Sequence, residues 1–456
     1  MKLEIDGKRK KPQKMPFSDR DLLMIVLPLF VERLLTLVVG LADTFVISYT
    51  GEAAVSGVSL VNQLNNVFLF VSTSLAAGGA VVTSQYIGND DKEKAGESAS
   101  QLLAVSTIIF AGFGLLMLIG RRGILRFLFG SVDADVMEAC LIYLRITACS
   151  FPMIAIYDAG AALFRSRGQT GITMKVSAIS NVINVAGNVI GVFVLKAGVA
   201  GVAWPSLIAR TFSAIVITIL GLKKASEAHY SFRYMFHFNG DMLGRILGIA
   251  VPGGVETGFF QLIKVALSSM ISTFGTVHIA ANGIGQTFWS LSNAFSNTGG
   301  AAYTTVIGQC MGDDNQEAAE YYFWHFARLL MVLGLVWNVV LTLSTPGIIY
   351  FFALSAETKR LILIVVVLHN AFNIWLGPYW NAAPNGLRAC GDVRFTMKVT
   401  LICTVIVRLA LSYVFGVMLA LGVVGIILAM IADWVVRAAI YWLRIRSGKW
   451  KQFRVI

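Results

Sequence analysis

The sequence predicts an all-α polytopic membrane protein, about twelve transmembrane helices in two homologous six-helix bundles, and three observations carry that prediction. Of the 456 residues, 56% are hydrophobic and 14% charged, with mean hydropathy +0.72, a balance outside that of soluble globular chains. Apolar runs of about 20 residues recur between short polar or Gly/Pro breaks; they are continuous rather than alternating at period two, which excludes a β-barrel. The chain also repeats itself. At a shift of 224 residues (252 minus 28), Pro28, Glu32, Gly51, Gln85, Gly88, Asp90 and Glu93 fall on Pro252, Glu256, Gly275, Gln309, Gly312, Asp314 and Glu317. At a shift near 223, Arg165, Gly168 and Thr173-Met174-Lys175 meet Arg388, Gly391 and Thr396-Met397-Lys398. Tandem halves are a common build of secondary transporters, with the site where the repeats meet.

The predicted spans are 22–48, 56–87, 98–120, 136–163, 172–195 and 199–221, then 244–272, 280–308, 322–345, 361–386, 395–417 and 422–443. This divides the chain into a basic tail (1–20), an N-terminal bundle (21–221), a linker (222–243), a C-terminal bundle (244–443) and a second basic tail (444–456). Net charge is +12, yet Lys and Arg concentrate on the side of both termini, with only Arg121, Arg122 and Arg126 as an opposing cluster. The positive-inside rule then makes both termini cytoplasmic, and no nucleic-acid surface is implied. The tail with Lys8-Arg9-Lys10-Lys11 lacks a small-residue cleavage site and precedes too long a run for a signal peptide. The five cysteines (Cys140, Cys149, Cys310, Cys390, Cys403) have no metal-ligand spacing, so neither a disulfide framework nor a metal site is expected.

The first span is the most informative, because it carries Glu32, Arg33 and Asp43. An ionised carboxylate at mid-bilayer costs about 2.5–3.5 kcal/mol on insertion scales, so such residues face a cavity or bind ions. Eleven residues separate Glu32 from Asp43, roughly 1100° of turn, which puts both near one face about 16 Å apart. The second span holds Asn62, Gln63, Asn65 and Asn66, which serve equally as cavity lining or interhelical glue. Asp90 with Glu93, and Asp314 with Glu317, have the spacing of helix-capping boxes. Asp158 ends the fourth span as a cavity acid or as the partner of Arg165. Asn181, Asn184 and Asn188 form one stripe on the fifth span at i, i+3, i+7.

The linker reads as a connection, with Lys223, Lys224, Arg233 and a solvated His229 and His237. The seventh span repeats the first with Pro252, Glu256 and Gln261, but Leu267 replaces Asp43, and Lys264 stands where the first span has Gly40. Lys264 either neutralises a nearby acid, such as Glu256, or snorkels, and its depth favours pairing. Asn282, Gln286, Trp289 and Asn293 make a polar-aromatic stripe on the eighth span, suited to an organic cation. The tenth span carries His369, Asn370, Asn373, Trp375, Trp380, Asn381, Pro378 and Pro384; two prolines are expected to bend or unwind it, with His369 near its solvated outer end. Asp433 and Arg437 read as a structural i, i+4 pair.

With Pro28-x-x-x-Glu32, Leu41-Ala-Asp43-Thr44, Thr50-Gly-Glu-Ala-Ala-Val-Ser-Gly57, Gln85-Tyr-Ile-Gly88, Ala161-Ala-Leu-Phe-Arg165 and Pro384-Asn-Gly-Leu-Arg-Ala-Cys-Gly-Asp392, the chain resembles the multidrug and toxic compound extrusion (MATE) transporters, most of all their prokaryotic branch with damage-inducible-protein-like members. The resemblance spans Asp21 to Leu443. It implies a secondary transporter rather than an enzyme, with no cofactor, exporting cationic amphiphilic organic compounds (drugs, toxins) by alternating access in exchange for H⁺ or Na⁺. Asp43 matches the family's first-helix coupling acid, and Asn184 and Asn188 match polar positions near it. The acids of sodium-coupled relatives would fall near Phe260 and Gly377, where this chain has none.

The expected coupling site is thus Asp43 with Asn181, Asn184 and Asn188. The expected substrate cavity is Glu32, Glu256, Gln261, Asn62, Asn66, Gln286, Trp289, Asn293 and Asn381, and helix bending falls to Pro28, Pro252, Pro378 and Pro384. The expected setting is the inner (plasma) membrane, as a monomer. Two rivals have weaker support. A lipid-linked-precursor flippase would want a basic cavity, against which the acids of the first and seventh spans argue. A membrane-embedded transferase would need clustered catalytic acids, which only the Asp90 and Asp314 loops offer.

Overall fold

The computed structural model describes residues 12, 14–130, 132–223, 228–350 and 354–456; Lys8-Arg9-Lys10-Lys11 of the tail and Lys224 of the linker lie outside them. The described residues form helices joined by short connections, without a strand among them. The first half runs α1 (Asp19–Ser48), α2 (Glu52–Gly88), α3 (Lys92–Phe129), α4 (Ala134–Ala148), α5 (Phe151–Ser166), α6 (Thr170–Val189) and α7 (Ala200–Gly221). A short α8 (Phe232–Phe236) follows. The second half runs α9 (Gly240–Ser272), α10 (Thr276–Ser292), α11 (Ala294–Gly312), α12 (Gln316–Tyr350), α13 (Ala356–Gly377), α14 (Ala383–Ala389), α15 (Val393–Ile402), α16 (Leu409–Ser412) and α17 (Gly422–Arg446).

Ten helices among the described residues are long and apolar enough to cross a membrane, and α4 with α5, bent by 46°, makes an eleventh. Pro152 explains that bend: it occupies the first turn of α5, where a missing N–H costs nothing but a preceding helix cannot continue unchanged. The remaining predicted span, 280–308, is the pair α10 and α11, which meet at Asn293. Stripes such as Ile108, Leu115 and Ile119 on α3 lie bare of protein, Ile119 at 78% exposure, which is the surface a bilayer requires.

The duplication is written into the backbone. Left-handed residues pair at Gly51 and Gly275 (φ 107° and 98°), Asp90 and Asp314 (55° and 52°), Gly168 and Gly391 (72° and 98°), and Gly198 and Gly422 (56° and 57°). A π-helical segment closes α6 at Ile190–Val194 and recurs at Tyr413–Met418. At both places backbones nearly touch. A Cβ on Gly201 would lie 2.6 Å from the Gly191 carbonyl oxygen, and one on Gly425 would lie 2.4 Å from that of Phe415.

Two compact units emerge. One comprises Met24–Ile87 and Asp91–Leu262, so it includes the first part of α9: Ser74 Oγ donates to the Ala250 carbonyl at 2.7 Å, and a Cβ on Gly78 would sit 2.6 Å from the Ile246 carbonyl oxygen. Its core gathers Phe110, Phe151, Leu144, Val61 and Val202. The other comprises the described residues up to Leu23, Gly88–Asp90 and Ile263–Ile456, with a core of Phe288, Trp380, Ile427 and Trp434. Here Lys14 pairs with Asp313 at 2.6 Å, Asp19 with His325 at 2.7 Å, and Phe17 exchanges hydrogen bonds with the Tyr322 hydroxyl. Asn373 and Asn370 of α13 bridge to Ser292 of α10 and Thr342 of α12.

Several sequence expectations shift. The helix caps fall one residue later than expected: Asp91 Oδ1 accepts from Lys94 N–H and Asn315 Oδ1 from Ala318 N–H, while Asp90 and Asp314 make the left-handed turns before them. The linker is more than a connection, because Gln101 Nε2 donates to the carbonyls of Tyr234 and His237 and Asn239 Nδ2 donates to Glu97. Arg121, Arg122 and Arg126 ride on the last turns of α3 rather than in a loop. The tenth span does not unwind; from Ala356 to Ala389 it stays helical, widening to a π-helical stretch at Pro378–Ala382. His369 is 1% exposed, not solvated, and stacks on Trp434.

The glycine contacts make a stability prediction. Gly201→Val forces the α6–α7 backbones apart and lowers stability by about 1–3 kcal/mol, whereas Gly112→Ala, with open space around its Cβ, is neutral. Thermal unfolding of the purified protein in detergent reads the difference; equal melting temperatures would refute the close-approach argument.

Candidate functional site

Asp43 is half-buried on α1, and its partners are set by helix geometry on α6. Residues four apart share a face, so Asn184 and Asn188 stand one turn from each other. Small residues bring α7 against that face: a Cβ on Gly187 would be 2.6 Å from Pro205 Cβ, which puts Ser206 within reach. Asn188 Nδ2 donates to Asp43 Oδ1 at 2.6 Å and to Asn184 Oδ1 at 3.2 Å; Asn184 Nδ2 donates to Ser206 Oγ at 2.9 Å; Ser206 donates to the Val202 carbonyl at 3.0 Å. Asn188 is 1% exposed, and its own Oδ1 is buried without a partner. Asn181 stays outside this chain of bonds, its Nδ2 unpartnered.

Glu32, 8% exposed, is gripped by three donors: Arg165 Nη2 at 2.9 Å, Thr173 Oγ1 at 2.9 Å and Tyr157 Oη at 3.1 Å. A turn earlier, Pro28 cannot donate to the Met24 carbonyl, and Thr170 Oγ1 replaces that bond at 3.1 Å. Arg165 therefore belongs to Glu32, while Asp158 accepts from Ser72 Oγ at 2.5 Å. Arg210 of α7 donates to Ser150 Oγ at 2.7 Å, and its charge acts on Asp43, Tyr143 and Asp158. Sequence reasoning passed over Arg210, although an arginine inside a predicted span is itself the signal.

Of the expected cavity residues in this unit, Asn62 is exposed and accepts from Tyr143 Oη at 3.2 Å, Asn66 is exposed, and Glu256 and Gln261 are half-buried on α9, which carries Pro252 within it. In the other unit Asn381 donates to Asn297 at 2.9 Å, Asn293 is buried at the α10–α11 break and donates to the Trp289 carbonyl, and Gln286 is half-buried. Pro378 opens the π-helical stretch and Pro384 sits in the first turn of α14. Lys264 lies over the Trp289 ring, 5.2 Å from its centroid, rather than on Glu256; eight residues along one helix are about 12 Å, beyond an ion pair. No group of His, Cys, Asp and Glu among the described residues could hold a metal ion.

Duplicated helical halves, a bilayer-facing surface and intramembrane carboxylates held by amides and guanidinium groups define a polytopic membrane transporter, not an enzyme. The MatE family model matches residues 28–190 and 252–414, two segments offset by the same 224 residues as the repeat, and the chain belongs to that family, the MATE transporters. It is similar to an uncharacterized transporter, YisQ, of Bacillus subtilis (27% identity, covering 97% of each chain). It is also similar to a probable multidrug resistance protein, NorM, of Thermotoga maritima (23% identity, 97% of this chain and 96% of the other). Its fold matches a MATE transporter solved in an outward-facing conformation (TM-score 0.86, 20% identity, 94% and 95% coverage). It also matches a MATE structure in a straight conformation (TM-score 0.87, 20% identity, 94% and 95% coverage).

The Glu32 cluster predicts a non-additive pair. Arg165→Met alone strands a buried carboxylate and lowers stability by about 3–5 kcal/mol, and the double variant Glu32→Gln/Arg165→Met recovers part of that loss. A double-mutant cycle on thermal or denaturant unfolding measures it; strictly additive losses would show that the two groups act independently.

Proposed function

We propose that the chain is a multidrug efflux antiporter that exports cationic amphiphilic organic compounds in exchange for H⁺ or Na⁺, bound at Asp43. It works by alternating access, as a monomer in the inner (plasma) membrane with both termini cytoplasmic. Membership of the MatE family and the multidrug-resistance names of its NorM relatives support the transport class. One observation supports the coupling role: among the described residues Asp43 is held by one short bond, from Asn188, whose remaining amide oxygen is buried without a partner among them, so an arriving cation meets a carboxylate with a second oxygen beside it.

Cation binding neutralises the carboxylate and turns a charge-assisted hydrogen bond into a neutral one of roughly half the strength. That loosens α1 at a point already predisposed to bend. Thr44 Oγ1 shares the Gly40 carbonyl and Thr36 Oγ1 that of Glu32, a back-bonding pattern that bends helices, and Gly40 has open space around its Cβ. The cation and the drug then occupy Asp43's surroundings in turn, and linkage makes the effect of each on the other reciprocal.

Efflux of a fluorescent organic cation from proteoliposomes tests this, with an imposed pH gradient and a sodium gradient applied separately. The driving gradient names the ion. Asp43→Asn is expected to abolish gradient-driven efflux and Asn188→Ala to slow it about tenfold, as loss of a bond to a charged group implies. Efflux that persists unchanged in Asp43→Asn would remove Asp43 from the coupling step.

A further inference from the structure

We propose that the linker between the two halves is a membrane-interface strap: Phe232, Phe236 and Phe238 enter the hydrocarbon edge of the leaflet at which α3 begins, and Arg233 meets the anionic headgroups of that leaflet. The occupant of this surface is an anionic lipid bilayer, and the assignment is independent of Asp43 and of the ion bound there.

Depth is the first observation. After Lys92, Glu93, Lys94 and Glu97, α3 has no charged residue before Arg121, so the hydrocarbon begins near Ser98. The linker is fastened across that boundary. On the charged side, Asn239 Nδ2 donates to Glu97 at 2.8 Å and the Tyr234 hydroxyl donates to Glu93. On the apolar side, the Ser231 N–H donates to Ser100 Oγ at 3.0 Å, and Gln101 Nε2 donates to the carbonyls of Tyr234 and His237 at 2.8 and 2.6 Å. A Cβ on Gly96 would lie 2.7 Å from the His229 carbonyl oxygen, so the linker backbone rests directly on α3. It is also tied to the last residue of α7, where the Tyr230 N–H donates to the Gly221 carbonyl at 2.8 Å. Backbone groups at the hydrocarbon edge need partners from the protein, and Ser100 and Gln101 supply them.

The second observation is the outward face. Residues four apart share a helix face, and Phe232 and Phe236 of α8 are 63% and 78% exposed; Phe238 just beyond is 52% exposed. Such rings are unfavourable in water and favourable at a bilayer interface. They continue a surface that is already apolar. Ile208, Ile215 and Ile219 are exposed along α7, and Ile219 stands two residues before Gly221, where the linker is tied.

The third observation is the sorting of charge. Glu93 and Glu97 are engaged by Tyr234 and Asn239 on the α3 side. Arg233 is exposed between the phenylalanines, with no ion pair among the described residues, and the exposed His237 lies one turn on, its Nδ1 3.0 Å from the Arg233 carbonyl oxygen. Acids turned inward and a long cationic side chain left outward among aromatic rings match a leaflet of negative headgroups.

The test places a nitroxide label at Phe236→Cys in the full-length protein carrying Cys149→Ser, the remaining cysteines being buried. The protein is reconstituted in bilayers of phosphatidylcholine alone and of phosphatidylcholine mixed with phosphatidylglycerol. Collisions with oxygen, which concentrates in hydrocarbon, are compared with collisions with a water-soluble nickel chelate. Ile119→Cys, exposed on α3, and Asp135→Cys, exposed in the first turn of α4, give the lipid and water references. The oxygen-to-nickel ratio at position 236 is expected several-fold above that at position 135 and to rise further with phosphatidylglycerol, and Phe232→Cys should report the same. Arg233→Gln should abolish the rise while leaving the ratio in phosphatidylcholine unchanged. Ratios at positions 232 and 236 equal to that at position 135 in both bilayers overturn the proposal. A high ratio that does not respond to phosphatidylglycerol overturns the headgroup assignment, and a rise that survives Arg233→Gln overturns the part given to Arg233. Spin–spin broadening that dilution with unlabelled protein removes would show that a second copy of the chain covers the rings, which also overturns it. No gradient or substrate is applied, so the result stands apart from coupling at Asp43.

Discussion

A charge inside the hydrocarbon layer must find its partners within the protein, and Glu32 shows how far that constraint shapes the first half. Its three donors come from α5 and α6, so one carboxylate on α1 fixes three helices in register. The orphan carbonyl that Pro28 creates is satisfied from the start of α6, by Thr170, only one turn from Thr173. Pro28 and the Glu32 anchor are therefore adjacent on α1, with Asp43 beyond them on the same helix. At Glu32 the helix is held by three donors, and at Asp43 by the Asn188 amide.

The second half keeps the scaffold and changes the chemistry. Left-handed turns, π-helical segments and close glycine contacts recur at repeat-equivalent positions, because they satisfy backbone geometry that both halves share. Side chains are freer. Leu267, at the position of Asp43, joins the apolar core at 8% exposure, and Lys264 occupies the place of Gly40. The two halves thus share a frame, but the position that holds Asp43 in the first holds Leu267 in the second.

What could be read from the chain alone follows from how local each signal is. Spans and repeat register were legible because hydropathy and periodicity are properties of single segments, and the repeat supplied an internal comparison; the Asp43–Asn188 neighbourhood joins two helices and came only with the family resemblance. The partner of Arg165 was not, since Asp158 is seven residues away in sequence while Glu32, its true partner, is 133. The capping residues slipped by one because a left-handed turn inserts Asp90 before the helix, and turn conformation leaves little trace in composition. Lys264 and His369 went astray for a common reason: rings on other helices cover them, and stacking has no sequence period.

The membership of the first unit has a bearing on biogenesis. Its residues run to Leu262, well past the end of α7 at Gly221, and the face of α2 around Ser74 and Gly78 is covered by Ile246 and Ala250 of α9. Because synthesis runs from the N-terminus, the segment that covers that face of α2 is made only after α7 is complete, so this part of the first repeat's packing waits on the opening of the second.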